Sequence, residues 1–145
     1  MKITELGVLT LFILALVNPI SVVRAQVDGT IFDKDINVAS FENMRYPAIA
    51  RAANVKGVVV VRVSLDRGGK VTDAQALSGA PYLVIDTVQN AKKWRFQPNA
   101  QNAAVLVYDF QIIGFCAHEQ DSSQLILQPS NLALITACSF TVQTN

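Results

Sequence analysis

The sequence predicts an α+β fold: two helices packed on a small antiparallel sheet of three or more strands, with extra strands at the C-terminus. Three observations carry this reading. Val59, Val61, Val63 and Leu65 alternate with Val60, Arg62 and Ser64, as in a strand with one buried face. Leu83, Val84, Thr87, Val88, Ala91 and Trp94 then recur at three- and four-residue steps, which lays one apolar stripe along a helix. Residues 104–115 return to period two, with Leu106, Tyr108, Phe110 and Ile112 on one face. Short runs that switch period in this way suit one sheet covered on one side by helices.

The chain has 145 residues and a formal net charge of +1, a length for one domain plus a targeting segment. Residues 1–25 have the layout of a secretory signal. Lys2 precedes an uncharged run from Leu6 to Val17, Asn18 and Pro19 break it, and Val23 and Ala25 sit ahead of the cleavage point. The run is shorter than the ~20 residues that span a bilayer, with an uncleaved membrane anchor as the alternative. Cleavage leaves Gln26 first, in a periplasmic or secreted protein, and removes Lys2, Arg24 and Glu5. Ten basic and ten acidic residues remain. Nucleic-acid binders gather a basic excess on one face, so a neutral exported chain is the wrong class for that partner.

Two cysteines in an exported chain are expected to pair, and a Cys116–Cys138 disulfide closes a loop of about two dozen residues. One His and two thiols rarely make a metal site, and cysteines this far apart are not a redox pair. No cofactor, metal or small-molecule substrate is expected.

Taken in order, residues 26–44 form a lead-in with a pairing strand around Ile36 to Val38. The segment "YPAIARAANVKG" reads as a short helix, with Pro47 in its first turn, Ile49, Ala52 and Ala53 facing inward, and Gly57 as its C-terminal glycine. "DRGG" joins the strand ending at Leu65 to a second strand, Val71 to Leu77, as a hairpin. Gly79 and Pro81 open the longer helix. Lys92, Lys93 and Arg95 fall in its last turn, where cations meet the negative end of the helix dipole, and Pro98 forbids continuation. Trp94 is a core anchor. The tail holds two more strand-like runs, "SQLILQ" and "NLALITACSFTV", and in the second Leu132, Leu134, Thr136, Cys138, Phe140 and Val142 alternate.

Catalytic groups are scarce. His118 lies near Cys116 and Glu119, but that spacing on a strand-end loop is poor geometry for a nucleophile and its base, and a bridged Cys116 has no thiolate. Asp66, Asp73 and Asp86 fall on a turn, a strand and a helix with no pairing evident. Lys56, Arg62, Arg67 and Lys70 around the hairpin fit an anionic partner such as a cell-wall polymer, or a wet surface, and acids are interspersed among them. The chain is not read as an enzyme.

Tyr46-Pro47, Gly57-Val58-x-Val60, Asp66 to Gly69, Val71, Ser78-Gly79, Pro81-x-Leu83 and Trp94-Arg95-Phe96-x-Pro98 together resemble the C-terminal domain of TonB, from the periplasmic energy transducers of Gram-negative bacteria. The resemblance covers about residues 45 to 115. It implies two helices on a three-stranded antiparallel sheet, and a protein-binding function. The final strand of such a domain receives an extended peptide of an outer-membrane receptor by strand addition, with affinity from main-chain hydrogen bonds. Here the receiving strand would be Val105, Leu106, Val107, Tyr108, Asp109, Phe110, Gln111 and Ile112, with Trp94 and Phe96 holding it from below. A second copy of the chain is the other candidate partner.

The family's transducer has a membrane helix with a Ser and a His, and a proline-rich spacer. Residues 1–25 contain no His and residues 26–44 no Pro, so force transmission is not the expected role and would require an uncleaved N-terminus. Asp86 and Thr87 stand where the family often has small residues. The extension 117–145, tethered by the Cys116–Cys138 bridge, offers the alternative: an interaction module whose receiving edge is capped by its own tail.

Overall fold

The computed structural model describes residues 36–116, 123–129 and 131–139. The expected signal segment 1–25, the start of the expected lead-in, and His118, Glu119, Phe140 and Val142 lie outside the described residues. The elements in order are β1 (Val38–Ser40), α1 (Ala48–Ala52), β2 (Gly57–Leu65), β3 (Val71–Ser78), α2 (Pro81–Ala91), β4 (Arg95–Phe96), β5 (Ala103–Phe115), β6 (Gln124–Gln128) and β7 (Leu132–Ser139). β3-β2-β5-β7-β6 form one five-stranded sheet, and β1 pairs with β4 in a two-stranded ribbon. The α+β class holds, with one addition. β3, β2 and β5 are antiparallel neighbours, but β7 runs parallel to β5. β6 pairs antiparallel with β7 along its outer side, so the chain re-enters beside β5 in the direction of β5 itself.

The β2–β3 hairpin is set by its turn. Asp66 Oδ1 accepts from the Gly68 and Lys70 amides at 2.8 and 2.9 Å, the side chain completing a turn that backbone groups alone would leave open. Gly69 has φ 79°, and a Cβ there would collide with the Phe96 carbonyl, so this position admits glycine alone.

Val59, Val61 and Val63 of β2 lie opposite Tyr108, Leu106 and Ala104 of β5, and all six are buried. α2 covers this face with Leu83, Thr87, Asn90 and Ala91. The Thr87 hydroxyl donates to the Leu83 carbonyl at 2.6 Å, which satisfies a polar group with no exposure left. Around Trp94, itself fully buried, Tyr108 lies at a ring-centroid distance of 5.7 Å, Phe96 at 6.3 Å and Phe41 at 5.5 Å.

Several expectations change. α2 ends at Ala91 with Lys92 as its cap, so Lys93 and Arg95 lie past the helix, and Arg95–Phe96 is a short strand. The reason is the indole: the Lys93 and Trp94 amides bond back to Asn90 and Ala91, a tightened last turn that drives Trp94 into the core. The lead-in strand starts at Val38, two residues later than expected, because its partner is β4. In α1, Ala50 and Arg51 are buried, whereas Ile49 is 68% exposed and Ala52 and Ala53 are exposed. Five residues are too few to set a helix face by periodicity, and tertiary contacts of Arg51 choose it. Asn54, with φ 53°, takes the left-handed position after α1, and Gly57 opens β2 instead.

In the tail, the leucines of β7 are not the residues that reach the core. Ala133, Ile135 and Ala137 are the buried side of β7, while Leu132, Leu134, Thr136 and Cys138 are half-buried on the other. Ala133 lies opposite Tyr108 and Ile135 opposite Phe110. Beside those large rings the core has room for small or single branched side chains.

Candidate protein-binding edge

β5 offers two edges. Its inner edge is paired with β2 from Ala103 to Phe110. The outer edge is the one a partner strand would meet, and the tail occupies it. β7 pairs with Val107 through Ile112, and after a register shift Ser139 pairs with Phe115.

Both ends of that ladder are extended by particular groups. At the start, the Asn131 carbonyl accepts from the Val107 amide at 2.9 Å, and Asn131 Nδ2 donates to the Val105 carbonyl at 2.6 Å. One fully buried side chain thus continues the ladder a step beyond the strand. At the far end the Cys116 amide donates to the Ser139 carbonyl at 3.0 Å. Of the predicted receiving residues, Val105 and Val107 to Ile112 meet the tail on this side. Leu106, Tyr108 and Phe110 point into the core.

Two clasps hold the tail to the rest of the molecule. The Cys116–Cys138 disulfide is present, with Cα atoms 5.2 Å apart. Arg51, 7% exposed, donates from Nε to the Cys138 carbonyl and from Nη2 to Cys116 Sγ, both at 2.9 Å. This is the contact that turns α1 inward at Arg51. The second clasp joins the start of β6: the Tyr46 amide donates to Ser123 Oγ at 2.6 Å. Burial, aided by the negative charge of Asp109, raises the Tyr46 hydroxyl to about 12, and its proton is spent on the Val55 carbonyl at 2.7 Å. Burial raises the Tyr108 hydroxyl as well.

Beneath β5, Asn90 Oδ1 accepts from Trp94 Nε1 at 2.8 Å and from the Tyr108 hydroxyl at 3.0 Å. Its Nδ2 donates to the Glu42 carbonyl at 2.9 Å. Trp94 and Phe96 are both buried, and the Trp94 ring lies against Tyr108 of β5. The sequence reading missed Asn90, Arg51, Ser123 and Asn131. Only Asn90 left a trace, one helical turn before Trp94. The other three act across 26 to 87 residues of chain, where no local pattern reaches.

The inward set expected for α1 instead leaves an apolar groove of about 320 Å³ between Pro47, Ile49, Pro81, Tyr82 and Ile85. Among the described residues no group of three His, Cys, Asp or Glu is placed to hold a metal ion. Cys116 is bridged and carries no thiolate.

The geometry is that of a small α+β sheet-edge domain whose third strand is followed by a covering hairpin. The family described as Gram-negative bacterial TonB protein C-terminal matches residues 42–112. Protein TonB of Pseudomonas aeruginosa is 29% identical over 80 residues, covering 54% of this chain and 23% of that protein. Protein TonB of Yersinia enterocolitica is 31% identical over 93 residues, covering 63% of this chain and 36% of that protein. The chain therefore matches only about a quarter to a third of the length of these curated relatives. A solution NMR structure of the Pseudomonas aeruginosa TonB C-terminal domain is 27% identical, with a TM-score of 0.44, covering 55% of this chain and 89% of that one. By its residues 42–112 the chain belongs to the TonB C-terminal domain family. β6 and β7 lie beyond the matched segment.

Proposed function

We propose that this chain is an exported protein-interaction module of the TonB C-terminal class that recognises its partner by main-chain pairing at a sheet edge, in the setting of outer-membrane transport. The observation that carries the reading is the pairing of β7 along Val107 to Ile112. A receptor peptide that adds to the third strand needs the main-chain groups that β7 occupies. In the oxidised protein that edge is unavailable, and recognition falls to the edges the tail leaves open.

A second reading keeps β5 as the receiving strand, with β7 lifting away once the disulfide opens. The position of the disulfide favours it, because the bridge closes the far end of the β5–β7 ladder and links no other pair of elements. Backbone amide hydrogen exchange across 104–116 separates the two. Protection in the oxidised monomer that persists after reduction, with no binding of an extended peptide to β5, is the expected result. Protection lost on reduction together with peptide capture at 105–112 establishes the second reading. Fast exchange at alternate amides of the oxidised monomer sinks the capped-edge proposal.

A further inference from the structure

The capped β5 moves the question to the two ends of the sheet, β3 and β6. They differ in how they are guarded. β3 carries Asp73, and its pairing with β2 shifts register twice, between Val60 and Val61 and between Ser64 and Leu65. Charges and bulges of this kind twist an edge away from new partners. β6 pairs with β7 from Gln124 to Gln128 without a register shift, and residues 123–129 contain no charged side chain. No strand lies beyond β6 among the described residues.

β6 also reads the same in both directions: Gln124-Leu125-Ile126-Leu127-Gln128 is a palindrome centred on Ile126. In an antiparallel pair related by a two-fold axis at Ile126, Ile126 faces its own copy. Leu125 faces the Leu127 of the other copy, and Gln124 faces Gln128. Side chains alternate across a strand, so each matched pair also shares a face. Leu125 and Leu127, buried and half-buried, continue the core row on the helix side. Ile126, 43% exposed, stands on the open face beside Leu134, which lies opposite it on β7. The glutamines flank this row with groups that hydrogen-bond to each other.

We infer that β6 is a homotypic docking edge: a second copy of this chain adds antiparallel through β6, about a two-fold axis at Ile126, to make one continuous ten-stranded sheet. The inference rests on the capped-edge reading, since β6 is the outer edge only while β7 sits on β5. Five residues per copy make a small interface, so association is expected at concentrations on the order of 100 µM rather than at nanomolar levels.

The register supplies the test. The solution mass of the processed, oxidised protein is measured by light scattering or sedimentation across a concentration series. Gln124→Lys with Gln128→Lys sets like charges opposite each other twice per dimer, and is expected to weaken association about tenfold or more. Gln124→Lys with Gln128→Glu sets opposite charges there, and is expected to keep or tighten the dimer. All these side chains are exposed, so the fold tolerates the changes. A monomer throughout the series, or a dimer blind to the charge pattern, overturns the inference. Hydrogen exchange on 105–112 in the same samples reports the capped-edge reading independently. Protection there in a monomer leaves that reading intact and removes only the dimer.

Discussion

The matched segment 42–112 and the tail 123–139 share one sheet but are held by different means. In the first, β3, β2 and β5 all pair antiparallel, and large side chains fill the space between sheet and helix. Trp94, Tyr108, Phe110, Leu83 and Leu106 are all essentially fully buried. In the tail, Ala133 and Ala137 contribute little buried area, and Leu125 and Ile135 supply most of it. The tail depends instead on its ladder with β5, one disulfide, hydrogen bonds from Arg51 and Asn131, and the Tyr46 amide's bond to Ser123 Oγ. Packing holds a core in place wherever the chain ends. A constrained strand is held by a few discrete ties, each of which can be removed alone, so the two regions answer differently to substitution.

The largest effect is expected at the packed end. Trp94→Ala removes a fully buried indole, its bond to Asn90 and its contacts with three rings, and costs about 3–5 kcal/mol of stability in a denaturant titration. A matched segment that keeps its stability in Trp94→Ala, with only the tail released, would show that the aromatic cluster is not what holds that segment.

High pH tests a residue that belongs to both regions. The Tyr46 hydroxyl is raised from 10.0 to about 12, so the folded protein holds a proton that the unfolded chain releases near pH 10. Its contribution is complete below pH 10 and is lost as pH rises through 12. Tyr46→Phe is expected to flatten this part of the alkaline stability profile, leaving the part due to Tyr108. An unchanged slope would remove Tyr46 as its source.

Arg51→Met probes the constraint alone. It keeps the buried aliphatic stem and removes donors to the Cys138 carbonyl and to Cys116 Sγ, for a loss of about 2 kcal/mol. Exchange along β7 should accelerate more than exchange along β2. Equal acceleration in both strands would mean that tail and matched segment open as one unit.

How much of this was legible depended on distance along the chain. The hairpin, α2 and the alternation of β5 were readable because the burial period and the turn residues Asp66 to Gly69 lie within a dozen positions of each other. The face of α1 was not readable, since the residue that turns it, Arg51, answers to Cys116 and Cys138, 65 and 87 residues away. The buried side of β7 was not readable for a related reason: Leu132 and Leu134 are the more apolar, but Ala133 and Ile135 fit beside Tyr108 and Phe110.

By itself, then, the amino-acid sequence determined the element types, the TonB-like motif from Tyr46 to Pro98 and the material for one disulfide, because each depends on local propensity, side-chain period or residue chemistry. Only the tertiary structure decided that β7 runs parallel to β5 and lies against Val107 to Ile112, leaving β6 outermost. Main-chain donors and acceptors are the same at every residue, so which strand meets which edge is settled by side-chain fit and long-range ties.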